Sequence, residues 1–210
     1  MERHFREEQR VCDLIEGGRG YLRAQELCRV REKGREFPVM GLVLGSQQRH
    51  RPTFGLFAGV HGLERIGTEI ALTFLETLVG RLQWDKETRR ALRKSRIVAM
   101  PMVNPAGVFH RRRGNHRGVD LMRNAPVEAQ SKVPFLVGGH RLGPWLWWYR
   151  GRQGLEPEAS AMIDFVRREI FDARAAVTLD LHSGFGLRDR LWYPYARSSE
   201  PFADLLRVRA

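Results

Sequence analysis

Cysteine is scarce in this 210-residue chain: Cys12 and Cys28 are its only two, too far apart for a CxxC metal or redox pair. Both read as structural or inert thiols. Long apolar runs are missing as well. No stretch approaches the roughly 18 residues that a bilayer span requires, and the N-terminal MERHFREEQR lacks the apolar core of a signal peptide. The expected setting is therefore cytoplasmic, where thiols stay reduced, with no membrane partner. No Pro-rich or Ser/Gly-rich linker divides the chain, which at this length can bury a sizeable core as one domain. Internal repeats and low-complexity segments are also lacking. So is a GxSxG elbow, and VGGHRLG has neither GxGxxG spacing nor a P-loop lysine, so serine-triad and nucleotide chemistry are set aside.

Acidic charge is outnumbered, with 24 Asp and Glu against 36 Lys and Arg and a net charge of +12. Clustered basic residues would suggest nucleic acid. Here the arginines are scattered and often stand beside an acid, as in RVREKGREF, which is the pattern of a solvated face; no nucleic-acid partner is expected. The one dense run is HRRRGNHRG, residues 110–118.

What is present alternates. Residues 2–16 and 22–32 read as charged helices, giving a helical lead-in over 1–36 ahead of a main domain over 37–210. PVMGLVLG (38–45) and TFGLFAGV (53–60) read as strands, arranged as a hairpin across SQQRHRP. A broad apolar face of near-helical period runs from Gly67 to Leu82, and a short basic helix, KETRRALRKS, leads to the strand RIVAMPMV and the turn Asn104-Pro105-Ala106-Gly107. Pro157 suits a first helical turn, with Glu156 and Glu158 at the positive end of the dipole. That helix reaches about Phe171, and AAVTLDLH follows as a β-rich apolar run, read as a buried strand that ends on His182. Strands alternating with helices imply an α/β fold, a largely parallel mixed central sheet covered by helices on both faces. Trp145, Trp147 and Trp148 in GPWLWWYRG read as pins holding a loop to the core, with an apolar pocket lining as the other reading.

Ligands of open α/β sheets sit beyond the carboxyl ends of strands. His61 and Glu64 follow one strand, the NPAG turn a second, and His182 ends a third. A catalytic zinc takes three N or O ligands and an open position for water; His61, Glu64 and His182 supply such a set. His4, His50, His110, His116 and His140 read as ordinary hydrogen-bonded histidines. Asp180, two before His182 on the same side of its strand, reads equally as its partner or as a structural hydrogen bonder.

These residues resemble a known family. GVHGLERIG (59–67) resembles the HxxE metal motif of the zinc carboxypeptidases, in the superfamily that also holds succinylglutamate desuccinylase and aspartoacylase. NPAG resembles the family's NPDG turn, GVDLMRN (118–124) its GVDLNRN, LEPEA (155–159) its SEPE helix start, and LDLHSGFG (179–186) the strand carrying the third ligand. The resemblance implies a carboxypeptidase-like sheet, incomplete at its C-terminal end. It implies one zinc ion on His61, Glu64 and His182, with Asp120 orienting the ring of His61. Arg113 matches the arginine that stabilises the developing oxyanion, leaving Arg111, Arg112 and Arg117 as surface or loop charges. Arg123 matches the arginine that holds the substrate carboxylate. The family's neighbouring asparagine is Met122 here, a thioether that donates no hydrogen bond, and Asn124 replaces it only if the loop shifts. The implied substrate is a peptide, or an N-acyl amino acid, with a free carboxylate, cleaved at the adjacent amide. The family's glutamate base, on a late strand, has no counterpart before Ala210; Glu200 is the one glutamate after His182, and Tyr193 and Tyr195 lack the context of the family's tyrosine. The chain is therefore expected to be a partial catalytic domain.

Overall fold

Residues 22–32 are a strand and not a helix. The computed structural model describes residues 4–131 and 133–184, then 187–188, 190–192, 197–198, 200–201 and 204–206. Within them, helix α1 (Arg6–Gly17) leads into β1 (Leu22–Glu32), which pairs antiparallel with β2 (Arg35–Gly45) along its whole length. Lys33 and Gly34 both have positive φ, 47° and 84°, the signature of a two-residue hairpin turn matched to strand twist. A bulge between Glu26 and Cys28 inserts an extra residue, so the apolar positions of β1 lose their period of two and imitate a helical spacing.

The remaining elements are β3 (Thr53–Ala58), α2 (Arg65–Trp84), α3 (Lys86–Lys94), β4 (Arg96–Met100), α4 (Pro105–His110), α5 (Pro157–Ile170) and β5 (Ala176–Leu181). The sheet order is β1-β2-β4-β3-β5. The expected hairpin of β2 with β3 does not form, because β4 lies between them, antiparallel to β2 and parallel to β3. β5 adds in parallel to the other side of β3. The α/β mixed sheet is as expected.

Alternation along the central strands builds two cores. Leu42, Leu44, Leu56, Ala58, Ile97 and Ala99 face one side and pack with Leu14, Leu72, Leu92 and Val108, which come from α1, α2, α3 and α4. Val43, Phe57, Val98 and Met100 face the other, against Phe165 and Ile170 of α5. Successive side chains on a strand point to opposite faces, so the central strands β2, β3 and β4 are sandwiched between helices. The guanidinium of Arg96, fully buried, holds the lower end of this second core by bonding the Glu169 carboxylate (2.5 Å) and the carbonyls of Glu169 and Ser46.

β5 departs from expectation. It reads as a buried strand in the sequence, yet it is an edge strand with most residues exposed, Val177 at 68 %. No described helix is long and apolar enough to cross a membrane.

Candidate metal centre

β3 delivers His61 and Glu64 through a turn that only glycine permits. Gly59 has φ 67°. A Cβ on Gly62 would lie 1.9 Å from the carbonyl carbon of Gly107, so the turn after β3 rests directly on the NPAG turn after β4. That second turn is built by Asn104, whose Oδ1 accepts from the Gly107 amide (2.9 Å) and whose Nδ2 donates to the Val60 carbonyl (3.2 Å). Gly67, at the start of α2, is pressed against β5 in turn: a Cβ there would meet the Leu181 oxygen at 2.7 Å. Glu64, just before α2, and His182, just after β5, are thereby brought together.

The two imidazoles are arranged alike. His61 Nδ1 lies 2.9 Å from Glu64 Oε1 and its Nε2 lies 3.0 Å from Asp120 Oδ1. His182 Nδ1 lies 3.2 Å from Glu64 Oε2 and its Nε2 lies 2.8 Å from Asp180 Oδ2. One ligand atom from each of His61, Glu64 and His182 lies within 4.8 Å of the others. Each ring thus offers Nδ1 to a common point while a carboxylate holds Nε2, the arrangement by which proteins fix the tautomer of a metal-binding histidine. Asp180, which the sequence leaves between two readings, is the partner of His182.

Electrostatics follow from this crowding. Burial would depress His61 and His182, but the carboxylates outweigh it: His61 is raised, and His182 is raised to about 9. Burial would likewise raise Glu64, and bonds from His182, His61 and the Ser183 amide (2.7 Å) hold it far below the carboxylate range instead. Asp120, opposed by burial and favoured by His61 and Arg113, is lowered to about 2. A divalent ion that replaced the two imidazolium protons would leave the net charge of this cluster unchanged. The donor set, two nitrogens and a carboxylate, is one that zinc accepts.

Arg113 completes this end of the site. Its Nε donates to Asp120 Oδ2 (2.8 Å) and its Nη1 lies 3.6 Å from Glu64 Oε1. Arg112, next in sequence, turns away to Glu32, and Arg117 is largely exposed. Arg123 is anchored at one edge, with Nε donating to the Val137 carbonyl (2.6 Å); burial, then Arg113, lower its pKa against the pull of Asp120. Asn124 is drawn elsewhere. Its Nδ2 donates to the carbonyls of Arg150 and Gly154 and its Oδ1 accepts from the Glu156 amide, so its amide closes the loop before α5 and is not free for a substrate carboxylate. Met122 is partly exposed beside Arg123.

Other expectations are revised. Trp145 and Trp147 do not pin their loop, being 75 % and 73 % exposed. The anchor is Tyr149, buried, whose carbonyl accepts from the Asp120 amide (2.8 Å). His140 is an ordinary buried histidine, with Nε2 2.7 Å from the Trp147 carbonyl and Nδ1 accepting from the Leu142 amide. His116 is not ordinary, and joins Glu156 and Glu158 in a second cluster. Glu200 is exposed. Tyr193 and Tyr195 lie outside the described residues, as do Phe185 and Gly186 of LDLHSGFG.

An α/β sheet with two histidines and a carboxylate converging at its strand ends has the donor set of a zinc site with an open position. The zinc carboxypeptidase family model matches residues 22–208, and the chain belongs to that family. Carboxypeptidase M of Mus musculus is 33 % identical over 156 residues, 68 % of this chain and 30 % of that protein. Carboxypeptidase SOL1 of Arabidopsis thaliana is 26 % identical over 166 residues, 75 % of this chain and 30 % of its own length. The chain thus spans under a third of these relatives. Among solved structures, bovine thrombin-activatable fibrinolysis inhibitor in complex with tick carboxypeptidase inhibitor superposes with a TM-score of 0.73, covering 98 % of this chain and 68 % of that one at 20 % identity. Carboxypeptidase A from Helicoverpa armigera gives 0.71, covering 97 % and 50 % at 21 % identity. Both share the fold.

Proposed function

We propose that the chain carries the metal centre of a zinc-dependent carboxypeptidase, which cleaves an amide bond next to a free carboxylate. The observation that supports it most is the convergence of His61 Nδ1, Glu64 and His182 Nδ1, with Asp120 and Asp180 on the opposite ring nitrogens. His61, Glu64 and His182 would hold the zinc ion, which would supply Lewis-acid chemistry toward a water and an amide carbonyl.

The chain's own residues supply the rest. Asp120 and Asp180 keep each Nε2 protonated, so that the proton a ring gives up to a metal comes from Nδ1, which then presents its lone pair. Arg113, held by Asp120 and close to Glu64, places a permanent cation where an amide carbonyl gains negative charge, a contribution that is often among the largest in catalysis. Arg123 presents a planar fork suited to a carboxylate, which sets the register of the scissile amide. An N-acyl-amino-acid deacylase, the second reading, acts on the same amide and carboxylate; Met122 beside Arg123 loosens carboxylate recognition for either substrate, and NPAG and LEPEA favour the carboxypeptidase. A catalytically incomplete zinc-binding piece is the third.

Turnover of free peptides, amide-blocked peptides and N-acyl amino acids by zinc-loaded protein separates the three. Cleavage of free peptides with blocked ones spared supports the carboxypeptidase. Preference for N-acyl amino acids supports the deacylase, and zinc retention without turnover supports the third.

A further inference from the structure

His116, Glu156 and Glu158 form a second group whose ligand atoms lie within 4.8 Å of one another. It sits where the loop between α4 and α5 meets the N-terminal end of α5. Glu158 is fully buried and its Oε1 has no hydrogen-bond partner; nor does the buried Nδ1 of His116. The two orphaned atoms face each other at 3.4 Å. Two ligands on one tetrahedral ion, each at about 2.0–2.1 Å, stand about 3.4 Å apart. The other carboxylate oxygens are occupied, because Asn115 Nδ2 donates to Glu156 Oε2 (3.0 Å) and to Glu158 Oε2 (3.2 Å).

Charge points the same way. Two buried carboxylates face one imidazole, and the guanidinium paired with them among the described residues, that of Arg117, is 3.9 Å from Glu156 and mostly in solvent. An imidazolium would neutralise one carboxylate; a divalent ion neutralises both, and buried charge is tolerated only when paired. The negative field is felt nearby. Burial first, and then Glu158, push the Cys28 thiol up to about 12.

We propose that His116, Glu156 and Glu158 bind a second divalent transition-metal ion, of the zinc class, which ties the loop bearing Arg113 and Asp120 to the start of α5. The donor set of one imidazole and two carboxylates suits zinc better than a hard cation, which prefers oxygen alone. The ion is structural in role: His116 lies between Arg113 and Asp120 in the chain, so fixing it fixes the loop from which both reach the first centre. The proposal is independent of the catalytic reading.

The test is zinc stoichiometry of the full chain after equilibrium dialysis, by elemental analysis, with cobalt absorption as a second readout. The expected result is about two ions per chain, falling to about one in His116→Gln and in Glu158→Gln, and to about one in a His61→Ala/His182→Ala variant. Adding His116→Gln to that last variant removes the remaining ion and its increase in melting temperature with zinc. If Glu158→Gln does not fold, His116→Gln, at a partly exposed position, decides alone. Two ions undiminished by His116→Gln, or one ion in the wild type that the His61→Ala/His182→Ala variant loses, overturns the proposal. One ion in both the wild type and that variant removes the first centre and keeps the second.

Discussion

The metal-facing and substrate-facing halves of the site come from neighbouring residues but differ in how firmly the fold holds them. On the metal side, His61, Glu64 and Asp120 are buried, every ring nitrogen of His61 and His182 has a carboxylate, and the backbone turns are fixed by glycines that no other residue can replace. On the substrate side, Arg123 is anchored by one carbonyl, Met122 offers no hydrogen bond, and Asn124 is drawn into a neighbouring loop. The metal end is over-determined by packing, and the substrate end rests on a half-buried Arg123 and an exposed Met122. Perturbations should therefore fall in size as they move from the first half to the second.

The largest effect is expected at the ligands. His61→Ala or His182→Ala removes one of three donors and should weaken zinc binding by about 10³-fold or more, measured by competition with a chelating indicator. Undiminished affinity in His182→Ala would take that residue out of the centre. Next come the carboxylates behind the rings. Asp120→Asn should cost about 10–100-fold in affinity, and Asp180→Asn nearer the lower limit, because Asp120 is buried while Asp180 is 41 % exposed and its bond competes with water. Equal losses would mean that burial does not set the strength of these contacts.

The contrast between the halves also separates what the sequence discloses from what it hides. His61, Glu64 and His182 stand at strand ends, where local pattern and chemistry coincide, and their convergence is legible. Arg113 rather than Arg112 is what the family resemblance implies, and it is Arg113 whose Nε reaches Asp120 while Arg112 turns to Glu32. Loop residues are less readable. Asn124 has the right chemistry for a carboxylate, but its use is decided by carbonyls at Arg150 and Gly154, some 30 residues on. Trp145 and Trp147 look like core residues by composition, and nothing in the local sequence shows that Tyr149 carries the anchoring. β1 fails for a different reason: its bulge shifts the apolar phase, and Lys33-Gly34 is a less familiar hairpin pair than Asn-Gly. His116 is isolated in the sequence; only the fold brings it to Glu158.

Acidity gives a third, smaller effect per step. In the metal-free protein His182 is raised to about 9, so its ring must lose a proton before Nδ1 binds zinc. Zinc affinity should rise at least about tenfold per pH unit up to roughly pH 9 and then level off; a flat profile between pH 6 and 8 would contradict the arrangement at His182. The metal-free fold behaves oppositely. The raised His182 contributes stability fully below its unfolded value near 6.5, and that contribution is lost as pH climbs through about 9. Asp120, lowered to about 2, contributes above its unfolded value near 3.9 and loses that contribution as pH falls through about 2.

The smallest effect belongs to the substrate half, at Met122. Its side chain is 42 % exposed and adjoins Arg123, whose guanidinium is the cation proposed to meet a substrate carboxylate. A carboxylate has more acceptor positions than one guanidinium edge fills, so a neutral donor beside it has something to bind. Met122→Asn supplies that donor without adding charge. A net hydrogen bond to an ionised group is worth about 1.5 kcal/mol or somewhat more, but exposure to water reduces the gain, and about fivefold tighter binding is the expectation. Calorimetric titration of an N-acyl amino acid and of its amide-blocked form into zinc-loaded protein provides the comparison. Tightening confined to the free carboxylate places Met122 at the mouth of the Arg123 subsite. Equal changes for both ligands would mean that position 122 faces the amide or the metal instead, and that the substrate-facing half begins elsewhere on the loop.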